Sequence, residues 1–201
     1  MNLNMKKPQS RSEGRRREIL MAALSCFCEY GISGSTIDMI RERSGASVGS
    51  LYHHFGNKEK IAVTLYAEGM NDHYLLLRKA LEETQSAELG VKSIVVTFIN
   101  WIADNPEWAR FVFYSRSQVA QIDEGEALKQ GSRELWGTLK EWFSPLVQSG
   151  ALKQLPPECY SSIVVGPAQD YARRWLSGRE STDIREYIDV FSDAAWLALK
   201  P

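Results

Sequence analysis

Apolar residues recur every three or four positions along most of this chain, which is the period of an α-helix. No stretch alternates apolar and polar residues for long enough to predict a β-strand. The first periodic stretch covers residues 16–30 and meets Gly31, and glycine favours the end of a helix because it accepts a positive φ. The pattern predicts six further helices beyond residue 57, over residues 58–83, 90–103, 107–119, from the loop at 123–125 to about 149, 157–176 and 183–199.

Two shorter apolar patterns lie between the first helix and residue 57. One covers residues 36–43, the other covers residues 47–55, and Gly45 separates them. Two helices joined by a glycine turn of three to four residues form a helix-turn-helix, whose second helix can enter the major groove of DNA. The sequence therefore predicts an all-α fold of about nine helices that begins with a three-helix module.

Polar residues at the predicted helix starts support these boundaries. Ser35 precedes the first short helix, and Asp38 lies three residues after Ser35, a spacing that approximates a capping box. Ser47 and Asn57 stand where side-chain oxygens accept hydrogen bonds from the first turns of the next two helices. We therefore expect Ser35, Ser47 and Asn57 to be N-caps.

The order of short motifs in this region resembles that of a known family. A first helix ending in FCEYG at 27–31 is followed by STI at 35–37, SGAS at 44–47, GSLYHHF at 49–55 and NKEK at 57–60. This order resembles the DNA-binding domain of the tetracycline-repressor (TetR) family over about residues 15–65, without gaps. One difference is that Arg41 and Ser44 stand near positions where such proteins often carry alanine.

The resemblance implies a domain order and a function. It implies a basic arm over residues 1–14, a DNA-binding domain over 15–57 and a helical effector-binding and dimerisation domain over 58–201. Such a protein is a ligand-responsive transcriptional regulator, most often a repressor. As a homodimer it binds a palindromic double-stranded DNA operator, from which a small-molecule effector releases it. The alternative is a helical interaction protein whose helix-turn-helix no longer binds DNA, and salt-dependent retention on nonspecific duplex DNA would separate the two.

The resemblance also assigns DNA-facing residues by position. Tyr52 and Lys58 match the family's phosphate contacts, and residues 48–50 stand where the family approaches base edges. Val48 suits a thymine methyl group. The complete set of candidates is Thr36, Ser47, Val48, Gly49, Ser50, Tyr52, His53, His54 and Lys58.

Charge is distributed unevenly along the chain. Residues 1–60 hold ten Lys and Arg against six Asp and Glu, a net charge of +4, whereas residues 61–201 hold fourteen against nineteen, a net charge of −5. This asymmetry is typical of a nucleic-acid-binding module on an acidic body, although fluctuations of a few charges occur in any protein. The first seventeen residues hold six of the basic residues and show no apolar period. They indicate a mobile arm that contacts phosphates or a minor groove, or a tail that is only solvated.

Aromatic residues are concentrated in the predicted body, where eight fall between residues 101 and 143. The resemblance implies a ligand pocket there, and an aromatic lining suits an apolar or planar ligand. Aromatic residues at helical spacing equally fit an ordinary core. Arg110 and Arg116 lie near this group and either meet a ligand carboxylate or phosphate or remain on the surface. The candidate pocket residues are Trp101, Trp108, Phe111, Tyr114 and Trp136.

The last predicted helices carry more apolar surface than one body can easily bury. Pro167 removes a backbone donor within the penultimate helix and predicts a kink there. The resemblance implies a dimer held by the last two helices, although the same residues could instead close the core of the monomer. The candidate interface residues are Ile163, Gly166, Tyr171, Trp175, Phe191 and Trp196.

Motifs for other chemistry have weak support. Residues 45–49 match the G-x-S-x-G motif of serine hydrolases, but that motif needs a preceding strand that the pattern does not predict. The spacing of histidines and cysteines does not suit a zinc site, so we expect no metal, no catalysis and three reduced thiols. No secretory signal and no run of about 18 apolar residues is present, so we expect a cytoplasmic protein without a membrane partner.

Overall fold

The computed structural model describes residues 11–122 and 126–201, except for the side chains of Ala127, Leu128, Ser132 and Trp136. The described residues form ten α-helices and one 3₁₀ helix, and they contain no strand. The elements are α1 (Arg11–Gly34), α2 (Ile37–Ser44), α3 (Val48–Phe55), α4 (Lys58–Glu82), α5 (Ala87–Asp104), α6 (Pro106–Ile122), α7 (Glu126–Gln148), α8 (Pro157–Val164), α9 (Gly166–Leu176), the 3₁₀ helix (Ile184–Tyr187) and α10 (Ile188–Leu199). The all-α prediction is confirmed.

The first helix begins earlier than the sequence pattern indicated. Residues 11–17 belong to α1, so the prediction of a mobile arm over these residues is wrong, and residues 1–10 lie outside the described part of the chain. The early start has a packing reason, because Arg16 donates to Glu68 of α4 at 2.6 Å and lies 5.4 Å from the centre of the Phe55 ring. Gly31 interrupts the regular helix as expected, with φ 72°.

The penultimate helix of the prediction is two helices in the structure. α8 ends at Val164 and α9 begins at Gly166, with Val165 between them. Pro167 then lies in the first turn of α9, where its missing N–H costs no helical hydrogen bond. The expected kink is therefore a complete break, which accounts for ten helices instead of about nine.

The caps agree with the sequence at two of three positions. The Ser47 side chain accepts from the Ser50 N–H at 3.2 Å, and Asn57 accepts from the Lys60 N–H at 2.8 Å. Ser35 is not a cap, because it is fully buried and its hydroxyl donates to backbone carbonyls of α1. Thr36 replaces it as the N-cap of α2 and accepts from the Met39 N–H at 3.2 Å.

The N-terminal helices and the body share a continuous hydrophobic core. α6 packs against both α1 and α4. Phe111 of α6 stacks on Phe27 of α1 with ring centroids 5.8 Å apart, and Trp108 donates its indole N–H to the Leu65 carbonyl of α4 at 2.9 Å. A Cβ on Gly69 would lie only 2.3 Å from Trp108 Nε1, so this packing requires glycine.

We expect Gly69→Ala to lower the free energy of unfolding by about 1–3 kcal/mol, the usual cost of overfilling a packed core. The Trp108 ring is held by its hydrogen bond to Leu65 and cannot withdraw without losing it. Urea denaturation followed by circular dichroism, at one fixed protein concentration, measures this change.

Gly137→Ala is the matched control for that experiment. Gly137 lies within α7, and no heavy atom lies within 4 Å of the position that its Cβ would take. Its replacement by alanine should stabilise the helix by up to about 1 kcal/mol. Equal effects of the two substitutions would contradict the packing argument.

Candidate nucleic-acid interface and body cavity

α3 separates an inward face from an outward face. Leu51 and Phe55 are buried against the rest of the N-terminal helices. The caps at Ser47 and Gly56 hold both ends, and Gly56 adopts φ 81° and donates its N–H to the Tyr52 carbonyl at 2.9 Å. The outward face consists of residues at helical spacing, namely Val48, Gly49, Tyr52 and His53.

Most candidate DNA-facing residues present their side chains to solvent. Val48 is 43% exposed and Tyr52 is 54% exposed, so both side chains are accessible to a partner. Ser50 and His54 are half-buried, so a smaller part of each is accessible. Thr36 and Ser47 are exposed, and a hydroxyl that accepts a capping hydrogen bond can still donate its proton outward. These roles in DNA binding remain predictions.

Lys58 is the exception among the candidates. Its ammonium donates to the Ile32 carbonyl at 2.9 Å, to the Ser33 carbonyl at 3.3 Å and to the Ser35 carbonyl at 2.7 Å. A lysine has three donors, so all of them are used inside the protein. These carbonyls lie at and beyond the end of α1, where helical carbonyls lack partners. The structure favours a role for Lys58 in fastening α4 to α1 over the predicted phosphate contact.

The other cations of the helix-turn-helix are partly neutralised. Arg43 of α2 donates to Glu29 at 2.8 Å, and Arg41 lies 3.3 Å from Asp38. Lys60, in the first turn of α4, is exposed. The net positive charge of residues 1–60 therefore overstates the number of free cations on this face.

The body encloses a cavity of about 870 Å³, near the upper end of the roughly 300–1,000 Å³ typical of ligand sites. Its walls come from six helices, α4 to α9. One side of α4 supplies Tyr66, Met70, His73 and Leu77. Trp101, a predicted pocket residue, lines the cavity and donates its indole N–H to Asp72 at 2.9 Å.

Three of the predicted pocket residues do not line the cavity. Trp108 faces α4 and Phe111 is buried against Phe27, because both lie on the face of α6 that packs towards α1. Tyr114 is 56% exposed and donates to the Arg173 carbonyl on the outside. The prediction that these three residues line the pocket is therefore wrong. The side chain of Trp136, which was also predicted to line it, lies outside the described part of the structure.

The two arginines that the sequence left undecided have different positions. Arg110 does not line the cavity and donates to the Leu176 carbonyl at 2.9 Å. Arg116 lines the cavity beside Tyr66 and is joined there by Arg173 of α9. Arg173 was missed because nothing in the sequence relates α9 to α6 across the cavity.

His73 is the buried titratable group of the cavity wall. Burial lowers the pKa of its imidazole to about 4, against a smaller opposing effect of Asp72. The ring is therefore neutral at pH 7, and it packs edge-on against Phe98 with centroids 5.8 Å apart. Its Nε2 is buried without a hydrogen-bond partner among the described residues.

The predicted dimer residues on the last helices are all half-buried in the single chain. Tyr171 of α9 contacts Phe191 of α10 with ring centroids 5.9 Å apart, which joins the two helices within one protomer. Large apolar side chains remain uncovered on α10, where Val190 is 61% exposed and Leu197 is 56% exposed. The assignment of these helices to a dimer interface remains a prediction.

Other classes of site find little support in the described ranges. The three cysteines are free thiols, and burial raises the pKa of Cys26, which disfavours a reactive thiolate at that position. No group of three or more His, Cys, Asp or Glu residues within the described ranges is arranged to hold a metal ion. Among the described helices, none has the length and apolar content needed to cross a bilayer.

The capped helix pair at residues 37–55, set on an all-helical body with an internal cavity, defines a helix-turn-helix protein of two-part architecture. Residues 19–65 match the family described as "Bacterial regulatory proteins, tetR family". This segment of the chain belongs to the TetR family, as the motif order indicated.

Individual relatives support this assignment. The HTH-type transcriptional repressor AcnR of Corynebacterium efficiens is 45% identical over 53 residues, which cover 26% of this chain and 28% of AcnR. A TetR family transcription regulator from Marinobacter aquaeolei VT8 has a TM-score of 0.81 at 19% identity, over 94% of this chain and 97% of that chain. FadR from Bacillus subtilis, solved in complex with stearoyl-CoA, has a TM-score of 0.79 at 17% identity, over 90% of this chain and 98% of that chain. The sequence match to AcnR thus spans less than a third of either protein, and the two structures establish the fold.

We expect Lys58→Met to destabilise the N-terminal helices by about 1.5–3 kcal/mol, because it removes a charged donor from three carbonyl groups. The slope of log K against log salt for nonspecific duplex DNA should stay unchanged. Thermal denaturation and a salt titration of DNA binding measure the two quantities. Lys60→Met, at an exposed lysine two residues away, is the control for removal of one positive charge. If the slope in Lys58→Met is instead shallower by about one unit, the result supports the predicted contact between Lys58 and a DNA phosphate.

Proposed function

We propose that this protein is a ligand-responsive transcriptional repressor that binds a palindromic DNA operator as a homodimer. The observation that carries this proposal is the exposed face of α3, where Val48, Gly49, Tyr52 and His53 project from a helix capped at both ends. This helix lies within the segment that matches the family. We assign DNA binding to residues 15–57 and effector binding and dimerisation to residues 58–201.

A dimer follows from the need to read two half-sites. A twofold axis places two α3 helices one helical turn of DNA apart, about 34–36 Å, and matches a palindromic operator. The exposed side chains of Val190 and Leu197 on α10 are uncovered apolar surface of the kind that a second protomer would bury. We therefore extend the proposed interface from the half-buried residues of α9 and α10 to these two exposed positions.

Release by a small molecule rests on the cavity and on its link to the N-terminal helices. Tyr66 of α4 faces the cavity, and Glu68 on the same turn pairs with Arg16 of α1. α6 likewise has Val112 on the cavity wall and Phe111 against α1. Helices that wall the cavity therefore also contact the DNA-binding module. FadR from Bacillus subtilis, which shares this fold, was solved in complex with stearoyl-CoA, and this supports the proposal that a protein of this fold binds a small molecule.

We expect Val48→Ala and Ser50→Ala to change which DNA sequences the protein selects. Val48 is exposed at the start of α3, and loss of its methyl groups removes apolar contact with a thymine methyl. Selection of bound fragments from genomic or random duplex DNA, followed by affinity measurements on single-mismatch operators, tests this. A mismatch at a position that is read costs about 1–3 kcal/mol in the parent protein, and this penalty should shrink in the variant.

The same experiment tests the function as a whole. If the parent protein shows no salt-dependent binding to duplex DNA, the helix-turn-helix serves another purpose and the interaction-protein alternative is favoured. If both variants select the parent operator with unchanged mismatch penalties, residues 48 and 50 do not read bases.

We expect Leu197→Glu to convert the dimer into monomers at micromolar concentration, because it places a charge in the proposed interface without disturbing the protomer core. Sedimentation velocity measures the change, and operator affinity should fall because the two half-sites are no longer linked. Leu76→Glu, at a 46% exposed leucine on α4, is the control and should remain dimeric. A Leu197→Glu protein that stays dimeric would exclude this face of α10.

A further inference from the structure

We propose that the effector is an elongated amphipathic anion, with its apolar body along α4 and its anionic head held by Arg116 and Arg173. This inference rests on the proposed function of the cavity as an effector site and specifies the chemical class of the effector. It follows from the combination of an apolar wall with cations that have no acidic partner among the described residues.

The apolar wall has an extended shape. Tyr66, Met70, His73 and Leu77 recur at i, i+4, i+7 and i+11 on α4, so they form one stripe along the helix axis. Eleven residues of helix rise about 16 Å, which gives the approximate length of this side of the cavity. Facing helices contribute further apolar side chains, including Ile94, Phe98, Leu139, Phe143 and Val164. His73 adds no charge because its lowered pKa keeps it neutral. The stripe therefore accommodates a long apolar group.

The charged residues of the cavity wall are all cations. Arg116, Lys140 and Arg173 line it, whereas the described lining contains no aspartate or glutamate. Within the described ranges, no carboxylate lies within 4.0 Å of either guanidinium. Four other arginines of the body, Arg78, Arg133, Arg174 and Arg185, each lie close to a carboxylate. The described lining of the cavity therefore carries a net positive charge, which favours an anionic ligand.

Arg116 lies at one end of the stripe, and the backbone of Arg173 lies beside the same helix, α6. Arg116 is a neighbour of the Tyr66 hydroxyl, at the N-terminal end of the stripe. The Arg173 carbonyl accepts a hydrogen bond from Tyr114, which lies two residues before Arg116 on α6. The head is therefore bound at the Tyr66 end, and the apolar body extends towards Leu77.

The exposure of the arginines agrees with a head at the rim. Both side chains are exposed, so neither charge has been removed from water in the free protein. An anion held there remains partly hydrated and avoids the large desolvation penalty of a fully buried ion pair. Guanidinium groups bind carboxylates and phosphates through paired hydrogen bonds. The shared chemistry is an alkyl or similar apolar chain that ends in one of these anionic groups.

Three probes with the same chain distinguish the possible heads, namely dodecanoate, dodecyl phosphate and uncharged dodecanol, each used below its aggregation concentration. Binding to the full-length protein without DNA is followed by calorimetry and by the tryptophan fluorescence of the protein, to which Trp101 in the cavity wall contributes. We expect at least one anion to bind at least about tenfold more tightly than dodecanol, the effect of about one charge-assisted hydrogen bond. Raising the salt concentration should weaken the binding of the anion and not that of dodecanol. The tighter of the two anions identifies the head as carboxylate or phosphate.

Arg116→Gln and Arg173→Gln test the proposed head position. Each should weaken the preferred anion by about tenfold or more and leave dodecanol binding unchanged. Both residues are exposed, so the variants should fold, and circular dichroism checks this. Arg174→Gln is the matched control, because Arg174 adjoins Arg173 in sequence, does not line the cavity and pairs with Asp170 and Glu180 instead.

Two results would overturn the proposal: equal affinity for dodecanol and both anions, or no binding of any probe. An anion preference that survives both glutamine substitutions would overturn the assignment of the head to Arg116 and Arg173. Failure of the proposed function gives a different result. In that case an anion binds with the expected arginine dependence, but it leaves operator affinity unchanged, or the protein does not bind DNA at all.

Discussion

The close contact between α4 and α6 at Gly69 is the constraint on which the arrangement of the two parts depends. Trp108 approaches α4 closely because residue 69 has no Cβ, and its indole N–H is satisfied by the Leu65 carbonyl. That position fixes α6 against α4, and Phe111 one turn later reaches Phe27 of α1. The N-terminal helices are therefore not an independent unit on a flexible linker, since their core continues into the body.

The same two helices form part of the wall of the cavity, which gives the body a mechanical connection to α3. Arg16 illustrates this connection, because it pairs with Glu68 of α4 while its guanidinium lies over Phe55 at the end of α3. The ion pair is half-exposed and contributes little stability by itself, so the packed contacts of α6 dominate. A ligand changes the position of α3 only to the extent that it binds one arrangement of these helices better than the other.

The N-terminal module was largely predictable because its signals are local. Apolar period, glycine stops and the caps at Ser47 and Asn57 all act over a few residues. Ser35 was misassigned as a cap because its partner carbonyls on Cys26 and Gly31 depend on how α1 folds back. The carbonyl contacts of Lys58 had no local signal for the same reason, since the three partners lie 23 to 26 residues earlier in the chain.

The cavity was less predictable, because periodicity reveals that a helix has faces but not what each face meets. Trp108 and Phe111 share one face of α6 and pack against α4 and α1, whereas Val112 and Arg116 share the face that lines the cavity. The high density of aromatic residues in the sequence correctly indicated that α6 contributes to the cavity, but it pointed to the wrong face of that helix. Arg173 had no signal at all, since its relation to Arg116 exists only after α9 packs beside α6.

A comparison of two energies, the electrostatic repulsion between a bound anion and DNA and the usual allosteric coupling, indicates how the anion would influence DNA binding. Tyr66 lies nine residues from the cap Asn57, or about 13 Å along α4, so the proposed head is at least about one Debye length from the DNA at 0.1 M salt. Two unit charges at about 13 Å in water interact by about 0.3 kcal/mol before screening, and salt reduces this to about 0.1 kcal/mol. Allosteric coupling is typically about 1–3 kcal/mol. Repulsion between the ligand and DNA phosphates is therefore too weak, and the coupling must come from repacking of α4 and α6 around the ligand.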